Sequence, residues 1–238
     1  MNTSYSFSGS EINSGLIFDL SNNAFPAKIH GYRTSAEYEL AKITNENSTV
    51  FGYVNAGISY LNYKGMKYPL TQGMYFTVPG SFEIAGGEGV LIEYFNYTGF
   101  FNIGGTIESE GRLKYIDGCT DSLLTYPIRK GDPCLNVLYF PKNIFQTQHT
   151  HPSYRVGIVI EGSGVCVTPQ RNIPLRPGLV FVIHEEGIHS FKTTDDKMTV
   201  VSFHPDTDFG PEDENHPMIN RTIIDGVSAS KMPHIFTN

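Results

Sequence analysis

The sequence predicts an all-β fold with little helix, built as two similar units in tandem. Its 238 residues include 14 Tyr and 16 Phe, which favour strands, while 24 Gly and 14 Pro divide the apolar runs into short segments. A faint internal repeat predicts the two units. Gly57 aligns with Gly164 and Gly73 with Gly178, at offsets of 107 and 105 residues, and an apolar strand follows each glycine.

The start of the chain differs from the rest. Residues 1–30 mix short apolar groups with Ser and Asn, which predicts an arm or an edge strand rather than a domain. Residues 35–43 contain the one helical candidate. From Thr49 onward, short apolar runs alternate with turn residues, as is typical of strands in an all-β fold.

The boundary between the units is expected within residues 106–135, which hold Gly, Asp, Lys and Arg among scattered apolar groups. The predicted domains are residues 1–115, with the N-terminal arm, and residues 116–238. The polar, acidic stretch after Phe203 is expected to form a C-terminal surface arm.

The charge pattern favours a small-molecule substrate. A formal net charge of -7 without any basic block argues against nucleic acid and against an anionic membrane surface. No apolar stretch is long enough to span a bilayer, and the first residues lack the apolar core of a signal peptide. Cys119, Cys134 and Cys166 show no paired, metal-type spacing. We therefore expect a reduced, cytoplasmic protein.

Three histidines in the second half have a spacing that suits one metal ion. His149 and His151 are two residues apart, so on an extended strand their imidazoles project from the same face. His189 follows the turn at residues 177–178 and an apolar run, which places it on a different strand that can fold back beside them. Three neutral imidazoles with open positions are typical of a catalytic metal site.

Two motifs surround these histidines. The first consists of His149, His151, Arg155, the apolar strand Val156–Ile160, Gly162 and Gly164. The second consists of Pro177, Gly178, Gly187, His189 and Phe191. Over residues 135–205 this pattern resembles the two motifs of the cupin superfamily. The resemblance implies tandem jelly-roll β-barrels, with the motifs clear only in the C-terminal barrel and the N-terminal barrel degenerate.

The chain departs from the cupin pattern at one position. Cupins usually carry a Glu ligand four residues after the second histidine, where this chain has Arg155, and a guanidinium cannot bind a cation. The remaining set resembles cupin dioxygenases that use three histidines, such as the thiol dioxygenases and the β-diketone-cleaving enzymes. That resemblance implies a divalent transition metal with Fe(II) favoured, although imidazole ligands also suit zinc, copper and nickel.

Arg155 is expected to point toward the metal. Strand alternation places it on the same face as His149 and His151, provided that Pro152 causes no bulge. A buried guanidinium beside a cation needs an anion next to it. The anion is either a structural carboxylate or a carboxylate or enolate oxygen of the substrate. For the structural ion pair the candidates are Glu161, Glu185 and Glu186.

Other residues near the ligands are candidates for acid–base or orienting roles. Tyr154, His184 and Glu185 lie close in sequence to the three histidines. We therefore expect Arg155, Tyr154 and His184 to act as catalytic groups beside the metal. His204 and His216 match no common metal-site spacing and are expected to be solvated or structural.

The first unit is expected to lack a metal site. Moving back by 107 residues from His149, His151 and Arg155 leads to Lys42, Thr44 and Ser48, and the position for His189 falls within residues 82–84. Glu83 is the one carboxylate there. A lone carboxylate cannot form a metal site, so the N-terminal unit is expected to be a packing partner.

Three functions remain open. The leading prediction is a metal-dependent cupin that acts as a non-haem Fe(II) oxygenase on a small anionic organic substrate. One alternative is an isomerase or lyase with a histidine base and an arginine that stabilises an oxyanion. The other is a non-enzymatic cupin that binds a small ligand. A homodimer is expected by resemblance to cupins, because edge strands need covering.

Overall fold

The computed structural model describes residues 6–33 and 40–235. The strands of the first half are β1 (Phe7–Glu11), β2 (Gly15–Asp19), β3 (Ala27–Arg33), β4 (Leu40–Ile43), β5 (Ser48–Ala56), β6 (Ile58–Tyr63), β7 (Met66–Thr71), β8 (Tyr75–Pro79), β9 (Phe82–Ala85), β10 (Glu88–Phe95) and β11 (Asn102–Gly104). The strands of the second half are β12 (Leu113–Lys114), β13 (Thr120–Thr125), β14 (Cys134–Phe140), β15 (Arg155–Gly162), β16 (Gly164–Val167), β17 (Asn172–Leu175), β18 (Leu179–Ile183), β19 (Ser190–Lys192), β20 (Met198–His204), β21 (Ile223–Ile224) and β22 (Val227–Ser228). The helical segments are α1 (Pro217–Arg221) and three single 3-10 turns at Ile116–Gly118, Ala229–Lys231 and Pro233–Ile235.

The predicted all-β fold with little helix is confirmed, since strands make up 52% of the structure and helix 6%. Most of the helical candidate at residues 35–43 lies outside the described residues. Its last four residues form β4, so the expectation of helix is wrong there. β4 pairs antiparallel with β9, with Ala41 opposite Ile84. The backbone hydrogen bonds of this pairing outweigh the weak helical preference of so short a run.

Four of the sheets form two face-to-face pairs. The seven-stranded sheet has the order β1-β18-β15-β20-β14-β13-β12 and packs against the three-stranded sheet β17-β16-β19. The six-stranded sheet has the order β11-β8-β5-β10-β3-β2 and packs against the four-stranded sheet β4-β9-β6-β7. No sheet closes on itself within residues 6–33 and 40–235, so each pair is a flattened sandwich.

The two sheet pairs repeat one strand order. The neighbours β8, β5, β10 and β3 of the six-stranded sheet correspond to β18, β15, β20 and β14 of the seven-stranded sheet. Gly52 stands opposite Phe76, and Gly157 stands opposite Phe181. A Cβ added at either glycine would overlap the phenylalanine ring, so both positions require glycine in the same way. Each pair is related to the other by an offset of 105 residues.

The repeat alignment needs one correction. Gly73 and Gly178 match as the sequence predicts, with φ angles of 85° and 86°. Gly57, with a φ of 74°, corresponds to Gly162, with a φ of 69°, rather than to Gly164. Gly164 lies inside β16 instead. The left-handed backbone at both sites favours glycine, and the offset is again 105 residues.

Each large sheet has an extra edge strand beyond the repeated strands β8 and β18. β11 pairs with β8, and β1 pairs with β18 at the equivalent edge. The N-terminal segment therefore contributes an edge strand to the sheet of the second half, in line with the arm or edge strand that its sequence predicts. The domain boundary at residue 115 stays a prediction.

A shared core lies between the two large sheets. Phe51 from β5 packs against Phe203 from β20, with ring centroids 5.0 Å apart, and Tyr94 from β10 lies 5.8 Å from the same ring. These residues belong to one buried cluster that joins the six-stranded and the seven-stranded sheets. Separate buried clusters fill each sandwich.

The three cysteines are buried and form no disulfide. Burial raises the pKa of the Cys134 thiol to about 12 and that of Cys166 to about 12, which keeps both protonated and unreactive. In the part of the chain that the structure describes, no helix has the length and apolar character needed to cross a bilayer.

Candidate metal centre

The backbone brings His149 and His189 face to face. The two residues form an isolated antiparallel bridge, in which each N–H donates to the other's carbonyl at 2.9 and 3.0 Å. The chain around His149 is a loop that runs beside the start of β19. His151 lies in the same loop, after which a bend at residues 152–153 precedes β15. The expectation that both histidines lie on one strand is wrong, because Pro152 interrupts regular pairing there.

The three imidazoles converge on one point. One nitrogen from each of His149, His151 and His189 lies within 4.8 Å of the other two. The ring centroids are 4.4 Å apart for His149 and His189, and 5.1 and 5.2 Å apart for the pairs that include His151. This spacing suits three ligands of a single ion, since a metal–imidazole bond is about 2.1 Å long.

Backbone carbonyls fix which ring nitrogen faces the centre. His149 Nδ1 lies 2.8 Å from the Thr147 carbonyl oxygen, and His189 Nδ1 lies 2.8 Å from the Gly187 carbonyl oxygen. A carbonyl oxygen only accepts, so each Nδ1 must carry the proton and donate. Each Nε2 therefore has a free lone pair. This is the arrangement in which hydrogen bonding orients metal-ligating histidines.

The cavity also keeps the imidazoles of His151 and His189 neutral. Burial lowers the pKa of His151 to about 3, and the positive charge of Arg155 lowers it further in the same direction. Burial likewise lowers the pKa of His189 to about 4, against the opposing effect of its hydrogen bond to Gly187. Neutral imidazole is the form that binds a metal ion.

The cavity around the histidines is small and mostly apolar. Its free volume is about 30 Å³, which is room for an ion or a water molecule but not for an organic substrate. Its apolar walls are formed by Tyr115, Leu138, Phe140, Phe181, Ile183, Phe191 and Val200. The polar groups beside the three ligands are Arg155, Ser202 and His204.

Arg155 faces this cavity as expected, although the bend at residues 152–153 breaks the strand alternation on which that expectation rests. Its carboxylate partner differs from all three candidates. Its Nη1 lies 3.4 Å from Asp206 Oδ1. Nη1 also donates to the Tyr154 carbonyl at 2.9 Å and to the hydroxyl of Ser153, which itself donates to Asp206. Burial lowers the pKa of the guanidinium, and the nearby Asp206 charge opposes that effect.

The predicted ion-pair candidates have other contacts. Glu161 pairs with Lys197 at 2.9 Å, and Glu186 accepts a hydrogen bond from Thr150 at 3.0 Å. Glu185 is exposed. Asp206 lies 51 residues from Arg155 along the chain, in the loop after β20, so no local pattern could have identified it.

His204 is a cavity residue that the sequence interpretation missed. It ends β20, where Val200, Ser202 and His204 alternate toward the cavity. Burial lowers its pKa well below the ordinary value, and the charge of Arg155 acts in the same direction. The expectation of a solvated histidine is therefore wrong for His204, whereas a structural role stays a prediction. For His216 it agrees with the contacts, because its Nδ1 accepts from Met218 N–H at the start of α1.

Comparisons with known proteins identify the fold. Residues 131–210, which include all three histidines, match the family model described as AraC-like ligand binding domain. A cupin 2 conserved barrel domain protein from Leptotrichia buccalis superposes with a TM-score of 0.56 at 12% identity, over 85% of this chain and 91% of that one. The chain has the cupin fold.

Two further solved cupin structures are similar to this chain. Protein YlbA from E. coli superposes with a TM-score of 0.57 at 15% identity, over 87% of this chain and 85% of that chain. A salicylate 1,2-dioxygenase from Pseudaminobacter salicylatoxidans superposes with a TM-score of 0.57 at 14% identity, over 82% of this chain and 77% of that chain. A search of curated proteins finds no match.

Two of the predicted catalytic residues lie outside the cupin cavity. The hydroxyl of Tyr154 donates to the Phe25 carbonyl at 3.0 Å, within the core between the large sheets. His184 Nε2 is hydrogen-bonded to the Ser8 hydroxyl at 2.8 Å. The expectation that both residues act beside the metal, which rested on closeness in sequence, is therefore wrong. Tyr154 is adjacent to Arg155 and points to the opposite face, and the side chain of His184 points toward β1.

Apolar side chains occupy the equivalent place in the first sandwich. β9 pairs with β6 in the first sandwich as β19 pairs with β16 in the second. When these two pairs are aligned by their register, Phe82 is the counterpart of His189. Phe82 stands opposite Ile43, as His189 stands opposite His149. Both apolar residues are buried. The interior of this sandwich therefore continues as hydrophobic core where the other holds imidazoles.

The position predicted for the first ligand is shifted by one residue. The counterpart of His149 is Ile43, whereas Lys42 points to the opposite face and places its Nζ 3.0 Å from Glu83 Oε1. Glu83 is thus part of a partly exposed ion pair. Among the described residues, His149 and its two partners form the one group of three or more potential ligands close enough together to share a metal ion.

Proposed function

We propose that this cupin is a metal-dependent protein that acts as a non-haem Fe(II) oxygenase on a small anionic organic substrate. The observation that supports it most directly is the convergence of three imidazoles, two of which have Nε2 oriented by backbone carbonyls. The similarity in fold to a salicylate 1,2-dioxygenase also supports an oxygenase function.

The donor set fits a divalent transition metal. Three imidazoles suit Fe(II), and they also suit zinc or nickel. The ligand set carries no charge, which leaves the full positive charge of an ion available to an anion. When held by His149, His151 and His189, Fe(II) would supply the activation of dioxygen that an oxygenase needs. We favour Fe(II) because of the resemblance to three-histidine cupin dioxygenases.

The chain's own residues prepare this site. The carbonyls of Thr147 and Gly187 hold two ligand rings in the required tautomer. Apolar walls from β14, β18 and β20 exclude water, which strengthens electrostatic interactions at the centre. Arg155 supplies a positive charge beside the ligands and suits a substrate with a carboxylate.

A second candidate function is ligand binding without turnover. The match of residues 131–210 to an AraC-like ligand binding domain supports it. In that case the binding of a small molecule, rather than a chemical reaction, is the output. Oxygen uptake separates the two functions, because only the oxygenase consumes dioxygen.

The repeated strand order supports two cupin units in tandem, with residues 1–115 as a metal-free unit and residues 116–238 as the metal-binding unit. The Ile43 and Phe82 pair supports this asymmetry, since it leaves no donor atom in the equivalent place. The first unit then serves as a packing partner for the second.

The proposal predicts one metal ion per chain. Protein purified without chelators should carry about one equivalent of transition metal by mass spectrometry. Changing His149→Ala and His151→Ala together should reduce the content to near zero, because one imidazole alone binds weakly. His234→Ala, at an exposed histidine near the C-terminal end, is the matched control and should retain the metal.

Iron-loaded protein should then consume dioxygen with at least one member of a panel of small carboxylic acids, as measured with an oxygen electrode. Full metal content in the double variant would contradict the assigned ligands. Tight binding of a carboxylic acid without oxygen uptake would support the ligand-binding candidate.

A further inference from the structure

A second cavity adjoins the metal cavity. It has a volume of about 310 Å³ and lies outside the histidine cluster, along the loop after β20. His151, Arg155 and His204 line both cavities, so they form the wall between them. The outer cavity is large enough for a small organic molecule, whereas the inner one is not. Its outer side carries Asp206 and Phe209.

Arg155 is incompletely satisfied at this wall. Its hydrogen bonds to described residues are all made by Nη1, to Ser153, Tyr154 and Asp206. Its Nε is buried and has no hydrogen-bond partner within residues 6–33 and 40–235. A buried, unpaired N–H of a charged group is costly, and a guanidinium is built to bind a planar anion through two nitrogens.

The contact between Arg155 and Asp206 is loose. At 3.4 Å it is longer than the roughly 2.8 Å of a strong charge-assisted hydrogen bond, and it involves one nitrogen. Asp206 lies in the loop after β20 with its side chain 25% exposed, and the Ser153 hydroxyl also donates to it, so its carboxylate turns toward solvent only when both contacts break. The carboxylate of Asp206 thus occupies part of the place that an anionic ligand of Arg155 would take.

We propose that the outer cavity binds the carboxylate of a small monocarboxylic acid at Arg155, and that Asp206 is an internal competitor which this carboxylate displaces. The inference rests on the proposed function and narrows its small anionic substrate to one chemical class. The bound acid lies next to the metal cavity, because His151 and His204 border both spaces.

The charged residues that line the outer cavity favour a ligand with a single negative charge. Arg155 is its one guanidinium, while Asp206 and Asp208 both line it. Displacing Asp206 leaves two carboxylates near the ligand. A monoanion satisfies Arg155, whereas a second negative charge on the ligand meets repulsion. Phe209 offers an apolar surface for the remainder of the molecule.

The test uses three isosteric probes: succinamide with no charge, succinamate with one negative charge and succinate with two. Each is titrated calorimetrically into the full chain after treatment with a chelator, so that binding to a metal does not contribute. We expect succinamate to bind about tenfold or more tightly than succinamide, and more tightly than succinate. Arg155→Ala should abolish this preference and leave the metal content of untreated protein unchanged.

The competitor is tested by Asp206→Asn, which keeps the shape and removes the charge. If Asp206 pairs with Arg155 in about nine-tenths of the molecules, removing this pair should tighten succinamate binding about tenfold. Asp213→Asn is the control, because Asp213 pairs with Arg129 at 3.3 Å on the surface, outside the cavity. It should leave succinamate affinity unchanged.

Equal affinity for succinamide and succinamate, or no gain in Asp206→Asn, overturns the inference. Should Asp206→Asn fail to fold, a crystal structure of the unmodified protein with succinamate decides. The carboxylate must lie on Arg155 with Asp206 turned away, and any other position overturns the inference. A lack of metal in purified protein would count against the proposed function alone, because these titrations are made without metal.

Discussion

At His149 and His189 a single backbone hydrogen bond determines the chemistry of each side chain. With Nδ1 tied to the carbonyl two residues earlier, Nε2 is left as the acceptor that faces the cavity. In the described part of the chain, no carboxylate is hydrogen-bonded to either ring. The loop geometry around these residues, rather than an ionic partner, therefore presets the site for a metal ion.

Burial of the histidines predicts a specific pH dependence of stability. In the unfolded chain a histidine gains a proton near its ordinary pKa of 6.5, whereas His151 in the folded, metal-free protein does so only near 3, and His189 near 4. Between these values the unfolded chain binds more protons, so the free energy of unfolding should decrease as the pH falls from about 6.5 toward 4. Above 6.5 these two groups should contribute no pH dependence.

Urea unfolding of chelator-treated protein at several pH values measures this effect. His151→Asn removes one of the titrating groups and should make the pH dependence shallower. His234→Asn, at an exposed histidine, should leave it as in the parent. Identical pH profiles for parent and His151→Asn would show that the buried imidazole is not the cause.

The three metal-ligand candidates were predictable because their motif spacing is local. His204 and Asp206 were not assigned to the site, and the reasons differ. His204 could have been found from the alternation of β20, where every second residue faces the cavity. Asp206 could not, because its position depends on how the loop after β20 folds back over Arg155. Tyr154 and His184 show the converse error, in which sequence proximity does not bring a side chain to the site.

Among the elements, the pair β15 and β18 connects the fold to the site most directly. Gly157 leaves space for the ring of Phe181, which lines the metal cavity and packs against Phe191 and Phe7. The absence of a side chain at one strand position thus allows an aromatic wall on the next strand. The same relation between Gly52 and Phe76 supports the hydrophobic core of the first sandwich.

Gly157→Ala should therefore destabilise the protein. Its new methyl group overlaps the Phe181 ring, and overpacking of this kind costs about 1–3 kcal/mol. The displaced ring should also disturb the wall of the metal cavity and reduce metal content. Thermal unfolding and metal analysis measure the two effects.

A second substitution tests the cause. Phe181→Leu in the Gly157→Ala background removes the overlapping ring atoms and should restore part of the lost stability. If the two single substitutions simply add in the double variant, the loss of stability in Gly157→Ala does not arise from contact between these two residues.

The sequence predicts where most of the strands lie, but it does not predict which strands pair with each other. The alternation of apolar runs and turns marks most of the strands, since each run is local. The residues of β4 carry a weak helical pattern and become a strand only because β9 lies beside them. Likewise, nothing in residues 7–11 indicates that they pair with β18, more than 165 residues away.

For the whole molecule, the decisive feature is the core between the two large sheets. Phe51 and Tyr94 from the first half enclose Phe203 from the second, and Val201 lies in the same cluster. The internal repeat predicted two similar units, but not which faces would pack together. Only the folded strands show that the apolar faces of the two large sheets cover each other.

Because of this shared core, we expect the C-terminal domain, residues 116–238, to be unstable when it is separated from residues 1–115. A fragment of residues 116–238 loses β1 from the edge of β18 and exposes the face that carries Val201 and Phe203. Uncovering a large buried side chain costs about 2 kcal/mol, so a few of them approach the total stability of a domain, about 5–15 kcal/mol. The fragment alone should show no cooperative thermal transition by circular dichroism and should bind metal weakly.

Co-expression with residues 1–115 should restore both properties, because it returns the missing edge strand and the covering sheet together. Adding a peptide of residues 1–14 in trans separates the two contributions, since it supplies β1 but none of the shared core. We expect the peptide to raise stability only slightly. A fragment that unfolds cooperatively at the temperature of the full chain and carries a full equivalent of metal would show that the sandwich folds independently, and that Phe51 and Tyr94 cover a surface that needs no partner.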